Sequence, residues 1–239
     1  MKKIFKITKI LVMIFLLNTI TQSKTIIVGT NAEFAPFEYL DENKIVGFDI
    51  ELVQEIGKRL NRPIKIKNLS FDGLIPALQV GKVDLLIAGM TKTPERAKFV
   101  GFTNDYFVAK QVLIVRKDAV EPKKVEELKG QKVGVILGFT GDLIITKIPE
   151  IKSEKYNTIF SAIMALNTGK VDSIIVDSAP AKSYVAENKK LKIVEIESAE
   201  EKYAIAGKKN SPLLEEINVI LAEMLKDGTY DKIVKKYFK

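Results

Sequence analysis

The chain has 239 residues, 46% of them hydrophobic and 28% charged, which is enough apolar material for one large or two modest cores and a poor fit to disorder, collagen-like repeats or coiled coil. It contains no cysteine and no histidine, which excludes disulfides, thiolate and imidazole chemistry and Cys/His metal sites; catalysis would fall to carboxylates, lysines, hydroxyls or tyrosines. Half of the +8 net charge comes from Lys2, Lys3, Lys6 and Lys9, and the remaining basic residues alternate with acids, so no nucleic-acid groove is expected.

Those lysines precede an apolar run at 10–17 that is too short to span a bilayer, and Thr21 and Ser23 follow it with the spacing of a cleavage site. Residues 1–23 therefore read as a secretory signal peptide. No cysteine follows for a lipid anchor, so the expected location is the periplasm of a two-membrane bacterium. A strand is expected at 25–28, then a helix at 49–60 with Leu52, Val53, Ile56 and Leu60 at helical spacing before Asn61 and Pro63. Residues 75–88 read IPALQVGKVDLLIA, and 163–176 read IMALNTGKVDSIIV. Each copy is a helix closed by a glycine (Gly81, Gly169) and followed by a buried strand, so the chain holds two similar α/β halves. Further on come a strand at 132–137, a helix at 158–168, and a helix begun by Ser211 and Pro212 with Leu214, Ile217, Leu221 and Met224 as its stripe, ended by Gly228. The alternation predicts parallel sheets with helices on both sides.

Ligands in such sheets bind beyond the carboxyl ends of the strands. After 83–88 comes a threonine cap with proline at the first helical position, Thr93-Pro94-Glu95-Arg96, which sets Arg96 beside a strand end. After 171–176 comes Asp177, and after 132–137 the small turn Gly138-Phe139-Thr140-Gly141, which lacks the lysine of a phosphate loop. A guanidinium in one half and a carboxylate in the other suit a zwitterionic α-amino acid. On pattern alone Arg96 also fits a solvated helix-end charge, Asp177 a helix cap, Phe34, Phe37, Tyr39 and Phe71 a core, and Glu33 and Asp49 ordinary surface acids. No enzyme motif stands out, and no catalytic residue, metal site or cofactor is expected.

The segments GTNAEFAPFEY (29–39), VGFDIEL (46–52), FDGLIPALQ (71–79), IAGMTKTPER (87–96) and GTYDKIVKKYF (228–238) resemble the polar amino acid family of periplasmic solute-binding proteins over essentially the whole chain after residue 23. The resemblance implies two doubly wound α/β lobes joined by a two-strand hinge, lobe 1 comprising 24–109 plus 203–239 and lobe 2 comprising 110–202. It implies a protein that binds a free L-amino acid and delivers it to the permease and ATPase subunits of an ABC transporter; no cofactor is needed, and a monomer is the default expectation. By the same resemblance Arg96 binds the ligand carboxylate with Thr91 and Thr140, and Asp177 and the Gly89 carbonyl hold the α-ammonium. Phe34 and Phe71 sandwich the side chain, whose far end meets Asn31, Glu33 and Asp49. Asn31 stands where members that bind basic ligands or glutamine often carry aspartate. Two facing phenyl rings favour a flat or cationic side chain, and Glu33 or Asp49 could supply the missing negative charge, so arginine or lysine is expected ahead of glutamine or another polar amino acid. The alternative from another class is a cyclohexadienyl dehydratase, with Glu33 or Asp49 as the acid and prephenate or arogenate consumption as its test.

Overall fold

The repeated phrase folds the same way twice. In a computed structural model that describes residues 24–238, the first copy closes a helix, Phe71–Gln79, and enters a strand, Leu85–Leu86; the second closes Ile159–Asn167 and enters Ser173–Asp177. Gly81 and Gly169 lie just past the helix ends at φ 74° and 72°. A Cβ at Gly169 would meet nothing within 4 Å, so the left-handed backbone, and not crowding, calls for glycine there. The aspartates of the two copies also do one job. Asp84 Oδ2 accepts the N–H of Ile27 at 2.9 Å, and Asp172 Oδ2 accepts that of Lys132 at 2.8 Å, so each pins the entry of the neighbouring strand. The signal-peptide reading concerns residues 1–23, which lie outside the described residues.

In chain order the strands are β1 (Ile26–Thr30), β2 (Glu33–Phe34), β3 (Glu38–Asp41), β4 (Lys44–Val46), β5 (Ile64–Asn68), β6 (Leu85–Leu86), β7 (Gly101–Arg116), β8 (Lys132–Ile136), β9 (Lys152–Tyr156), β10 (Ser173–Asp177) and β11 (Leu191–Gly207). The helices are α1 (Phe48–Arg59), α2 (Phe71–Gln79), α3 (Pro94–Ala97), α4 (Thr140–Ile145), α5 (Ile159–Asn167), α6 (Ser178–Ala186), α7 (Pro212–Lys226) and α8 (Thr229–Tyr237). The main sheet runs β5-β1-β6-β11-β7-β10-β8-β9, an order with the same pattern from either end. At one end β5, β1 and β6 are parallel, at the other β9, β8 and β10.

The sheet is mixed, where alternation alone predicted parallel pairing. β6 and β10 each meet a long antiparallel neighbour, β11 and β7, and those two strands of 17 and 16 residues pair antiparallel with each other. A chain that crosses from one half to the other and back runs in opposite directions on its two passes, and adjacent opposite passes pair antiparallel. A small hairpin sheet, β2-β3-β4, was not legible in the pattern; Glu42 and Asn43 turn it at φ 44° and 66°.

The apolar stripes bury as their spacing requires. Leu52, Val53 and Ile56 of α1 and Leu214, Ile217, Leu221 and Met224 of α7 lie in one core. Each such side chain contributes about 1.5–3 kcal/mol by leaving water. The same core runs into the other half through Ile136, Ile163 and Leu166, where Val133, Val135, Ile145 and Ile175 build a second one. Among the described residues no helix is long and apolar enough to cross a membrane.

Candidate functional site

The two charged strand-end residues meet at one cavity. Arg96 belongs to α3, whose cap Thr93 accepts the Arg96 N–H at 3.2 Å and whose Pro94 occupies the first turn. Its side chain is buried, 6% exposed, which removes the reading as a solvated helix-end charge. The guanidinium donates to the carbonyls of Thr91 (2.8 Å) and Gly138 (2.9 Å) and lies 5.1 Å from the centroid of the Phe71 ring. Thr91 and Gly138 come from opposite halves of the sheet, so Arg96 straps them together. Burial lowers its pKa, opposed by the charges of Glu201 and Asp177.

Asp177 ends β10 at the capping position of α6, yet its side chain makes no capping bond. It is 5% exposed, and its Oδ1 accepts from Gln111 Nε2 at 3.0 Å. Turned from the helix to the cleft, the carboxyl has a pKa pushed up to about 7 by burial and by the charge of Glu201, partly offset by Tyr203, Gln111 and Arg96. Arg96 forms no ion pair among the described residues. A guanidinium and a carboxyl group thus stand buried on one cavity without joining each other, which is chemistry for a zwitterion whose ammonium favours the ionised carboxyl.

That cavity is lined by Phe34, Phe71, Gly89, Arg96, Phe139, Thr140 and Asp177. Phe139 was not singled out in the sequence. Its ring meets Phe34 edge-on at 5.4 Å and Phe71 at 4.5 Å, so the two rings expected to face a side chain from either side here enclose a third ring from the opposite half. The cavity measures ≈ 10 Å³, about the space of one water. An amino acid enters only if the halves part. Contacts across the cleft hold this closed arrangement: Thr140 Oγ1 donates to Thr91 Oγ1 (3.3 Å), Ser183 Oγ to the Ala35 carbonyl (3.2 Å) and Tyr184 Oη to the Glu33 carbonyl (3.1 Å), and Lys147 pairs with Glu95 at 3.3 Å.

Three of the expected side-chain contacts lie elsewhere. Asp49 is fully buried behind the wall, where its Oδ2 accepts the Gly89 N–H (2.9 Å) and the Tyr106 hydroxyl (2.8 Å). It holds Gly89 in place instead of facing the cavity. Burial raises its pKa to about 6, and burial together with Asp49 raises that of the neighbouring Glu38 well above the usual range. Asn31 spends its amide on the Leu69 carbonyl at 3.0 Å. Glu33 is half-buried on β2 with its carboxyl pKa raised by burial, and it too is outside the cavity wall. Gln111, Tyr203 and Glu201, all buried around Asp177 and Arg96, carried no signal in the sequence.

The profile of the bacterial extracellular solute-binding proteins, family 3, matches residues 26–239. The arginine-binding extracellular protein ArtP of Bacillus subtilis is 35% identical over 221 residues, covering 90% of this chain and 86% of its own length. Among solved structures, an ancestral arginine-binding protein bound to arginine superposes with TM-score 0.87 at 46% identity, covering 91% of this chain and 100% of that one. An ancestral arginine-binding protein bound to glutamine superposes with TM-score 0.85 at 47% identity, over 90% and 97% of the two chains.

Proposed function

The chain belongs to the bacterial extracellular solute-binding proteins, family 3, and from that premise we propose that it captures a basic L-amino acid, arginine before lysine, and delivers it to an ABC transporter permease in the cell membrane. The carrying observation is that Arg96 and Asp177, from opposite halves of the sheet, are both buried on one cavity without pairing to each other. Arg96 takes the ligand carboxylate with help from Thr91 and Thr140. Asp177 takes the α-ammonium together with the Gly89 carbonyl, and Phe34, Phe71 and Phe139 pack the side chain. The arginine-binding relative and the arginine-bound neighbour support a basic ligand.

Capture proceeds by closure. Lobe 1, residues 24–109 and 203–239, and lobe 2, residues 110–202, part about the middle of β7 and β11. The ligand favours the closed form by contacting both lobes at once. Micromolar affinity corresponds to about 8 kcal/mol, within reach of two charge-assisted anchors and aromatic packing after ordering costs. The working protein is a monomer in the periplasm and carries out no chemistry on its ligand. The dehydratase alternative placed its acid at Glu33 or Asp49, and neither lines the cavity.

A thermal-shift panel of the twenty L-amino acids on ligand-stripped protein tests this reading. Arginine and lysine at a hundredfold excess over Kd stabilise the folded state by about 2.7 kcal/mol and raise the midpoint by several degrees. A panel in which no basic amino acid shifts the midpoint overturns it.

A further inference from the structure

The hinge region holds a second buried carboxylate. On β7, Ala109 and Gln111 are two residues apart and so share a face of the sheet. Gln111 is opposite Asp177 of β10 and reaches it through Nε2, while Ala109 is opposite Glu201 of β11. Tyr203, two residues beyond Glu201 on the same strand, shares that face as well. Asp177, Gln111, Glu201 and Tyr203 therefore form one patch where the two crossing strands run side by side, with Arg96 set against it. Glu201 is 4% exposed, and its Oε2 is buried without a hydrogen-bond partner among the described residues. A carboxylate at that depth is ordinarily paired. Its charge is the largest electrostatic influence on both Arg96 and Asp177.

Glu201 stands behind Arg96 and Asp177 and outside the cavity wall, and the charges of these three groups do not balance for a neutral ligand. A zwitterion neutralises Arg96 with its carboxylate and one carboxyl with its ammonium, and it leaves the other carboxylate uncompensated in a closed, poorly screened space where such a charge is costly. An amino acid with one further positive charge balances all three groups. We infer that Glu201 determines the charge of the ligand: beside Asp177 it gives the cleft two carboxylates against one guanidinium, and so favours a cationic amino acid over a neutral one of the same shape. This rests on the reading of the cleft as an amino acid site. It also accounts for cation selection with Asn31 and Asp49 committed elsewhere.

The test compares arginine with citrulline, which replaces the guanidinium by a neutral urea of the same length, in calorimetric titrations of the whole protein and of Glu201→Gln. Wild-type protein prefers arginine. The variant loses about tenfold or more in arginine affinity and changes little toward citrulline, and its ligand-free melting temperature is unchanged or higher because a buried charge is gone. Glu201→Met, as long and also uncharged, makes the same comparison if the glutamine variant folds poorly. A preference for arginine that survives the substitution overturns the inference, whether because neither ligand is affected or because both weaken equally, as a packing role requires. Wild-type protein that binds no amino acid overturns the reading of the site itself, an outcome distinct from arginine binding with an unchanged ratio.

Discussion

Asp177 shows how a residue at a helix start can turn its carboxyl away from the helix. Its backbone occupies the capping position of α6 while its carboxyl points to Gln111 and the cleft, so the helix forgoes a cap worth about 1 kcal/mol. The carboxyl titrates at about 7 against an ordinary value of 3.8. Between those two values the folded, ligand-free protein keeps a proton that the unfolded chain has released. The stability this group contributes is complete below about pH 3.8 and is lost as pH rises through 7. Asp177→Asn removes the dependence, so its melting temperature relative to wild type, followed by circular dichroism from pH 4 to 8, climbs with pH. A constant difference across that range contradicts the assignment. The same substitution leaves a ligand ammonium without its anion and weakens amino acid binding by about 2–5 kcal/mol, roughly thirtyfold to several thousandfold.

At the scale of elements, the site is a set of strand ends supported from behind. Gly89 leaves the end of β6 at φ 51°, and a Cβ there would lie 2.5 Å from Phe34 Cε1. Gly89→Ala is expected to cost about 2–4 kcal/mol in chemical denaturation through left-handed strain and overpacking, and to weaken ligand binding by displacing Phe34. A variant as stable as wild type contradicts this account of the wall. Much of the arrangement was legible: the repeated phrase marked both halves, Thr93-Pro94 marked α3 and its arginine, and Asp177 followed its strand. What escaped depends on pairing between distant segments. Glu201 sits among Glu197, Glu200 and Lys202 and reads as one more solvated charge until β11 lies along β7. Asp49 has the composition of a cleft acid, but the helix start that carries it packs under Gly89. Phe139 looks like any core ring until the two halves meet.

Over the whole molecule, the palindromic strand order joins two similar α/β halves through two long strands. A few polar contacts cross the cleft between the halves. Tyr184→Phe deletes the bond from Tyr184 Oη to the Glu33 carbonyl, at about 0.5–1.5 kcal/mol for the closed form. Ligand affinity is expected to fall about two- to tenfold, while the midpoint of the ligand-free protein measured by calorimetry moves little. An unchanged affinity shows that the contact does not oppose opening.

On the proposed function, one basic amino acid is held between Arg96 and Asp177. Isothermal titration of the refolded, ligand-stripped protein with arginine tests it most directly, alongside Arg96→Ala and Asp177→Ala. The account predicts saturable one-to-one binding at micromolar affinity or tighter, about 8 kcal/mol or more, weakened at least roughly thirtyfold in either variant. Arginine binding undiminished in either variant, or no binding of any basic amino acid to the wild-type protein, would contradict it.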